Sequence, residues 1–290
     1  MTSQSLTVDA VDSHSGIDGD EVCHKENVAL RFGRGATTYD SVTPVQQQMG
    51  ADLLALVRPY SPSGAIRRVL ELGCGCGSLT RVLRQIYPEA VITAVDLSED
   101  MIAHARRSGI HADWVCADAE SFVKQGHQAY DLIISNSAVQ WFSAPADTLA
   151  ACRARLTAQG ILAWSTFTDG TFAELKSAFR VAYEELGLAP QTHWLPLRAF
   201  NDWKQLVAQG KPIQRYYSLE YNGVSEFLRA VKAAGASFTG RSPIMLRPDV
   251  YRRMQAIYRE QFPAASGQGI RVTYEGFLVA ESACKPILQT

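Results

Sequence analysis

From Arg68 onward the hydrophobic residues gather in short runs: Arg68–Leu72, Ala90–Val95, Ala112–Cys116, Asp131–Ser135 and Ile161–Thr166. Runs this short, apolar throughout and bounded by polar or glycine-containing segments, predict strands buried on both faces. Between them the apolar positions take helical spacing, predicting helices at Leu79–Tyr87, Glu99–Arg107 and Ala146–Leu156. Strand–helix alternation builds a parallel sheet with helices on both faces, a doubly wound α/β arrangement. Upstream, two helical stretches are expected between Val28 and Val57, the second with Thr43 as N-cap and Pro44 at its first position. Pro59, Pro62 and Gly64 then break the chain. Past residue 168 the rhythm changes. Helices are expected at Thr171–Leu186, Ala199–Ala208, Val224–Ala233 and Pro248–Gln261, with a turn at His193–Pro196 and further strands at Pro212–Leu219 and Ile270–Ala280. The organisation read from this is a flexible tail (1–24), N-terminal helices with a ligand-binding core (25–168), and a helical lid insertion with the last sheet strands (169–290).

Composition narrows the function. Lys+Arg is 28 against 29 Asp+Glu, a net charge of -1, with 47% hydrophobic and 20% charged residues. That excludes a disordered chain and a nucleic-acid binder relying on overall positive charge. No apolar run approaches the roughly 18–20 residues of a membrane span, so no membrane partner is expected. Cys23, Cys74, Cys76, Cys116, Cys152 and Cys284 are sparse, and Cys74 and Cys76 flank a single glycine. Neither a disulfide framework nor the paired Cys elements of structural zinc matches that spacing; a cytoplasmic protein without a metal is expected.

The most informative stretch is Val69-Leu-Glu-Leu-Gly73-Cys-Gly75-Cys-Gly77-Ser78, three glycines directly after the first buried strand and before a helix. Glycine is needed where backbone turns sharply and a ligand lies against it. A nicotinamide-binding loop would place its third small residue at position 78; here Ser78 stands there and the glycine comes one place early. Glu71 just under the loop would repel a pyrophosphate but suits an ammonium group. The loop is therefore expected to hold a cofactor carrying an amino acid, such as S-adenosylmethionine. Asp96 at the end of the second strand can accept from ribose hydroxyls, and Asp118 after the third from an adenine amino group. Taken singly, each acid could be an ordinary helix cap, Trp141 and Tyr39 could be packing residues, and His193 a loop residue. The joint order points to cofactor binding.

The loop and the two acids resemble class I S-adenosylmethionine-dependent methyltransferases. Ser135-Asn136-Ser-Ala138-Val-Gln140-Trp141-Phe is similar to the S-N-x-A-x-Q-W segment of malonyl-acyl-carrier-protein O-methyltransferases of biotin synthesis and of related small-acid carboxyl methyltransferases. Arg31-Phe-Gly-Arg34-Gly-Ala-Thr-Thr-Tyr39-Asp followed by Gln46, Ser165-Thr-Phe-Thr-Asp-Gly170-Thr-Phe-Ala-Glu174-Leu, Leu228-Arg-Ala-Val-Lys232-Ala-Ala-Gly235-Ala and Val272-Thr-Tyr274-Glu-Gly-Phe277 resemble the former family in particular. The likeness spans about residues 28–281. It departs at Ala158-Gln159-Gly160, where a Pro-Gly-Gly-like turn is usual before the fifth strand, around His193, and in the N-terminal tail. It implies a Rossmann-like, mostly parallel seven-stranded sheet and a cofactor site of Glu71, Gly73, Gly75, Gly77, Asp96, Leu97, Asp118, Ala119, Asn136 and Gln46. Tyr39, Gln140 and Trp141 would position the reactants, and Lys232, Arg241 and Arg34 would bind substrate.

A carboxylate acceptor is ionised at neutral pH, with a usual pKa near ~4, so methyl transfer to it needs no general base. That agrees with the absence of a Ser/His/Asp or Cys/His constellation in the sequence. The expected activity is methylation of the free carboxylate of a malonyl thioester, on acyl carrier protein or coenzyme A, giving a methyl ester primer for biotin synthesis. Residues 196–263 carry 11 Lys/Arg against 5 Asp/Glu, a net of +6, which suits an acidic carrier. The alternatives are a methyltransferase for a free small acid such as trans-aconitate, and a non-catalytic S-adenosylmethionine-binding module.

Overall fold

A computed structural model describes residues 17–61, 66–194, 196–235 and 247–282. In chain order the elements are α1 (Ile17–Arg34), α2 (Tyr39–Val42), α3 (Pro44–Val57), β1 (Arg68–Leu72), α4 (Ser78–Ile86), β2 (Val91–Asp96), α5 (Glu99–Arg107), β3 (Asp113–Cys116), α6 (Ala119–Gln125), β4 (Tyr130–Ser135), α7 (Pro145–Ala154) and β5 (Leu156–Phe167). Then follow α8 (Ala173–Glu185), α9 (Phe200–Lys204), β6 (Ile213–Tyr221), α10 (Val224–Ala233), α11 (Pro248–Gln261) and β7 (Ile270–Ser282).

The strands form one seven-stranded sheet of order β3-β2-β1-β4-β5-β7-β6. β1 to β5 are parallel, and β7 enters antiparallel between β5 and β6. Because successive strand residues point to opposite faces, Val69 and Ile134 pack under α3 and α4, while Leu70, Leu72 and Ile133 pack under α6 and α7. That two-sided burial makes the central strands continuous apolar runs. The third core joins α8, α10 and α11 to β6 and β7 through Phe179, Phe227, Met254 and Tyr258. Among the described residues no helix is long and apolar enough to cross a membrane.

Several expectations change at element ends. Residues 17–24 belong to α1, so the helix begins inside the expected tail. The compositional reading averaged Ile17–His24, which contains Ile, Val and Glu, with the Ser- and Thr-rich residues before it. Thr43 precedes Pro44 as expected but makes no side-chain cap; its hydroxyl donates instead to the Tyr39 carbonyl at 2.7 Å. Helix α2 ends at that point and its last carbonyls need donors. α7 ends at Ala154, and Leu156 already pairs with Tyr130, so Ala158–Gly160 lies inside β5 as an irregularity of the β4–β5 pairing. α9 is much shorter than its expected span, ending at Lys204.

Candidate active site

The sheet order reverses between β1 and β4, whose carboxyl ends leave a crevice where ligands of doubly wound folds bind. The glycine loop fills it. Gly73 and Cys74 both donate to the Val95 carbonyl, at 2.8 and 3.0 Å, pinning the loop to β2. Gly73, Gly75 and Gly77 have φ of 75°, 55° and 90°, the left-handed region. What a side chain would meet there differs. A Cβ on Gly73 would lie 2.4 Å from the Ala138 Cβ, and on Gly77 2.7 Å from the Trp114 ring; on Gly75 it would meet only Tyr39, at 3.8 Å. Gly73 and Gly75 line cavities, whereas Gly77 lines none of the three around the loop. Gly77 stands instead against the Trp114 ring, at the αL start of α4.

Three cavities meet at this crevice. The first, here the loop cavity, lies between α1 and the ends of β1–β4, and Asp96, Leu97, Asp118, Ala119 and Asn136 line it. Asp96 accepts from the Gly75 amide at 2.8 Å and the Ser98 amide at 2.9 Å. Burial pushes its carboxyl above the ordinary aspartate value, against the pull of those amides. Asp118 caps α6 as well as lining the cavity: it faces the Glu120 amide at 3.3 Å and accepts from Ser121 Oγ at 2.9 Å and Lys25 Nζ at 3.1 Å. Burial raises the Asp118 carboxyl, but Lys25 and Ser121 outweigh it and hold it below the usual range. Glu120, which sequence reasoning passed over, is buried and takes Lys25 Nζ at 2.7 Å, the Ser143 and Ala144 amides and Thr148 Oγ1. It fastens α1 and the segment after Trp141 to the cofactor side.

Glu71 stands in a different place from Asp96. It lines a rear cavity under α2, α3 and α4, together with Gly73, Gly75, Gln46 and Asn136. It accepts from Thr80 Oγ1 at 2.6 Å. Burial pushes its carboxyl up to about 8, Thr80 lowering it and Asp96 raising it further. A carboxyl with that value is largely protonated at neutral pH. Asn136 is held at both ends, donating to the Gln46 carbonyl at 2.9 Å and accepting from Ser165 Oγ at 2.7 Å.

The third, the lid cavity, lies beneath α8 and α10. Phe32, Tyr39, Ser137 and Trp141 line both it and the loop cavity, forming their common wall. Phe32 meets Tyr39 and Trp141 edge-on, with ring centroids 6.2 and 5.5 Å apart. Tyr39 lines all three cavities. Its neighbour Asp40 accepts from Ser78 Oγ and from Cys76 Sγ, so the tyrosine is tied to the glycine loop. Burial pushes the Tyr39 hydroxyl strongly up, keeping it a neutral donor. Gln140 lines the lid cavity with its amide engaged at both ends, to the Ser137 carbonyl at 2.7 Å and from Thr166 Oγ1 at 2.8 Å. Ser137 and Phe172 are the non-glycine residues of positive φ among the described residues, at 56° and 61°, and both line this cavity. Strained backbone concentrates where the surroundings must hold a shape.

The expected substrate cations are elsewhere. Lys232 is exposed and absent from the cavity lining, where Ala230, Val231 and Ala234 represent α10 instead. The helix phase decides this: Lys232 shares no face with those three. Arg34, at the end of α1, is exposed and lines none of the three cavities. Arg241 lies outside the described residues. Lys176 of α8 is the one Lys or Arg among the described residues lining the lid cavity. Its Nζ donates to the Asp169 carbonyl and lies 5.8 Å from the centre of the Trp194 ring. Burial lowers its pKa, with Asp169 and Glu275 opposing. Nothing in the local sequence around Lys176 marked it. His193 pairs with the Tyr183 hydroxyl at 2.7 Å and lines none of these cavities.

The open space over Gly75, bordered by Asp96 on one side and by Glu71, Gln46 and Asn136 on the other, fits a nucleoside bearing an amino acid tail. Residues 69–160 match a family model described as a methyltransferase domain. A malonyl-[acyl-carrier protein] O-methyltransferase of Anoxybacillus flavithermus is 34% identical over 265 residues, covering 88% of this chain and 96% of that protein. One from Brevibacillus brevis is 33% identical over 266 residues, covering 87% and 94%. Among solved structures, the YcgJ protein of Bacillus subtilis superposes with a TM-score of 0.52 at 15% identity, over 81% of this chain and 99% of that one, a likeness of fold. The chain belongs to the malonyl-[acyl-carrier protein] O-methyltransferase family, and it is a methyltransferase whose methyl donor is S-adenosylmethionine.

Proposed function

We propose that this protein methylates the free carboxylate of a malonyl thioester, with malonyl-acyl-carrier protein as the physiological acceptor and malonyl-coenzyme A as a smaller one. The observation that carries this reading is the lid cavity. It is walled mainly by apolar side chains, adjoins the loop cavity through Phe32, Tyr39, Ser137 and Trp141, and has Lys176 as the single Lys or Arg in its described lining.

When bound, S-adenosylmethionine supplies a methyl group on a positively charged sulfur. In this reading Asp96 accepts from the ribose hydroxyls, Leu97 and Ala119 pack on the base, and Asp118 accepts from its amino group. Gly73 and Gly75 let the backbone approach, while Gln46, Asn136 and Glu71 receive the amino acid end. The acceptor carboxylate lies against the Tyr39–Trp141 wall, where neutral donors orient it and no Lys or Arg among the described residues blunts its nucleophilicity. Gln140, tied at both ends, keeps that wall rigid. No residue needs to remove a proton, because a carboxylate with a pKa near ~4 is already ionised. The chain contributes alignment, worth up to ~7–11 kcal/mol in well-oriented systems, and exclusion of water from a reaction that consumes two opposite charges. Lys176 faces the other end of the acyl group, where a thioester carbonyl is expected.

The test is incubation with labelled methyl donor and a panel of malonyl-acyl-carrier protein, malonyl-coenzyme A, malonate and trans-aconitate. Methyl esters are expected on the malonyl thioesters. Turnover confined to a free acid would overturn the acceptor assignment. Steep loss of kcat/KM with salt for the carrier substrate is expected if the basic α9–α11 region steers it, since exposed charges are screened beyond a Debye length of ~8–10 Å. Part of that region is internally neutralised, because Arg247 pairs with Asp249 and Arg253 with Glu185. Arg252 and Arg259 are the positions for charge reversal.

A further inference from the structure

A surface groove runs between α8 and the segment Pro190–Trp194, lined among others by Ala173, Ser177, Tyr183 and Thr192. It has two lining residues in common with the lid cavity, Lys176 and Trp194. Those two are in contact, the ammonium lying 5.8 Å from the indole ring centre. The lid cavity thus borders the loop cavity at Phe32, Tyr39, Ser137 and Trp141, and borders this groove at Lys176 and Trp194.

An acceptor whose carboxylate meets the first border must send its remaining atoms out past another. For a malonyl thioester those atoms are a long, flexible, amide-bearing arm. We infer that the groove between α8 and Pro190–Trp194 is the channel for this arm, with Lys176 and Trp194 as its inner gate. This rests on the acceptor reading given above. The groove suits such an occupant: Ser177, Thr192 and the Gln191 amide nitrogen offer hydrogen bonds to amides, and the Trp194 ring closes its inner end. Its outer end also lies beside the basic lid, since α11 is paired to α8 through Arg253 and Glu185. An acidic carrier held on α11 would present its arm to this groove. An amphipathic gate also explains Lys176 mechanistically: its charge stabilises a thioester carbonyl without touching the attacking carboxylate.

The experiment replaces Ser177, half-buried on the groove wall, by cysteine and follows its alkylation by mass spectrometry with S-adenosylhomocysteine present throughout. Saturating malonyl-coenzyme A is expected to slow labelling of that cysteine at least fivefold, while a malonyl methyl thioester, which has no arm, leaves it unchanged. Exposed Cys116 in the same digest serves as the internal reference. Calorimetry on the same variant separates the two readings. Malonyl-coenzyme A that binds without protecting the new cysteine overturns the channel alone; malonyl-coenzyme A that does not bind overturns the acceptor reading and the channel with it. Independently, Ala173→Trp, an exposed position at the start of α8, should raise KM at least tenfold for both arm-bearing thioesters and leave kcat and S-adenosylhomocysteine affinity unchanged. An equal rise for the armless thioester would overturn the channel.

Discussion

The loop cavity and the lid cavity share a wall but are built on opposite chemistry. The loop cavity is edged by fixed charges and backbone amides: Asp96 holding the Gly75 and Ser98 amides, and Asp118 and Glu120 holding Lys25. The lid cavity is mostly aromatic and aliphatic, with the half-buried Lys176 at the side it shares with the groove. A polar ligand of fixed shape needs many directional partners. A reacting anion that must remain nucleophilic needs the reverse: enclosure, neutral donors and distance from cations. With the acceptor placed as proposed, the difference teaches that recognition and reactivity can be separated into adjoining rooms.

Substitutions on either side of the wall should therefore fail differently, and the largest effect is expected in the loop. Gly75→Val fills the open side of the crevice at a left-handed residue and should weaken S-adenosylhomocysteine binding at least a hundredfold by calorimetry. Gly77→Ala should instead lower the melting temperature through its clash with Trp114. If Gly77→Ala were stable but unable to bind, its assignment to packing would be wrong. Asp96→Ala comes next, with a loss of about 1.5–3 kcal/mol in cofactor affinity, the usual cost of a hydrogen bond to a charged group. Unchanged affinity in the folded variant would take Asp96 out of the ribose role.

Across the wall, Lys176→Met should cut kcat/KM for malonyl-coenzyme A about tenfold, the effect of ~1.4 kcal/mol, with cofactor affinity intact. Loss of cofactor binding in that variant would erase the distinction between the rooms. For Glu71 the readout is stability rather than turnover. Its folded carboxyl titrates near 8, above the ordinary value, so the folded state binds the extra proton and stability falls as pH rises from about 4.5 toward 8. Glu71→Gln removes that loss: melting temperatures should match the unaltered protein at pH 5 and exceed it by several degrees at pH 8. A constant difference across that range would mean that Glu71 does not titrate there. Smallest of all, Lys232→Ala and Arg34→Ala should change kcat/KM less than twofold, since both side chains lie outside the cavities. A tenfold loss in either would return an anchor to the lid surface.

The asymmetry between the rooms also explains what could be read in advance. Asp96 ends β2 and Leu97 follows it, while Asp118 and Ala119 come two and three residues after β3, so finding the strands places these residues at the crevice. The ends of α5, α10 and α11 were legible for a similar reason, since their apolar spacing and flanking breakers are local. The surroundings of Gly77 were not legible, because its need for φ above zero looks the same in sequence whether a ligand or the Trp114 ring lies over it. The exposed position of Lys232 was not legible either, because a cation in a lid-like segment reveals its sign but not its helix phase against the core.

By itself, the sequence determined the doubly wound sheet, the glycine loop at its crevice, the order of acids along the strand ends and the family to which the chain belongs. These depend on periodicity and on contacts between near neighbours, where backbone geometry leaves few choices. The tertiary structure decided the rest: Glu71 in the rear cavity, Tyr39 at the meeting of three cavities, Lys176 as the cation of the lid cavity, and the groove beyond it. The lid cavity draws on α1, α2, α3, β5, α8, β6, α10 and β7, spanning residues from Phe32 to Tyr274. Its shape is fixed by close packing between segments far apart in the chain, which no local pattern encodes.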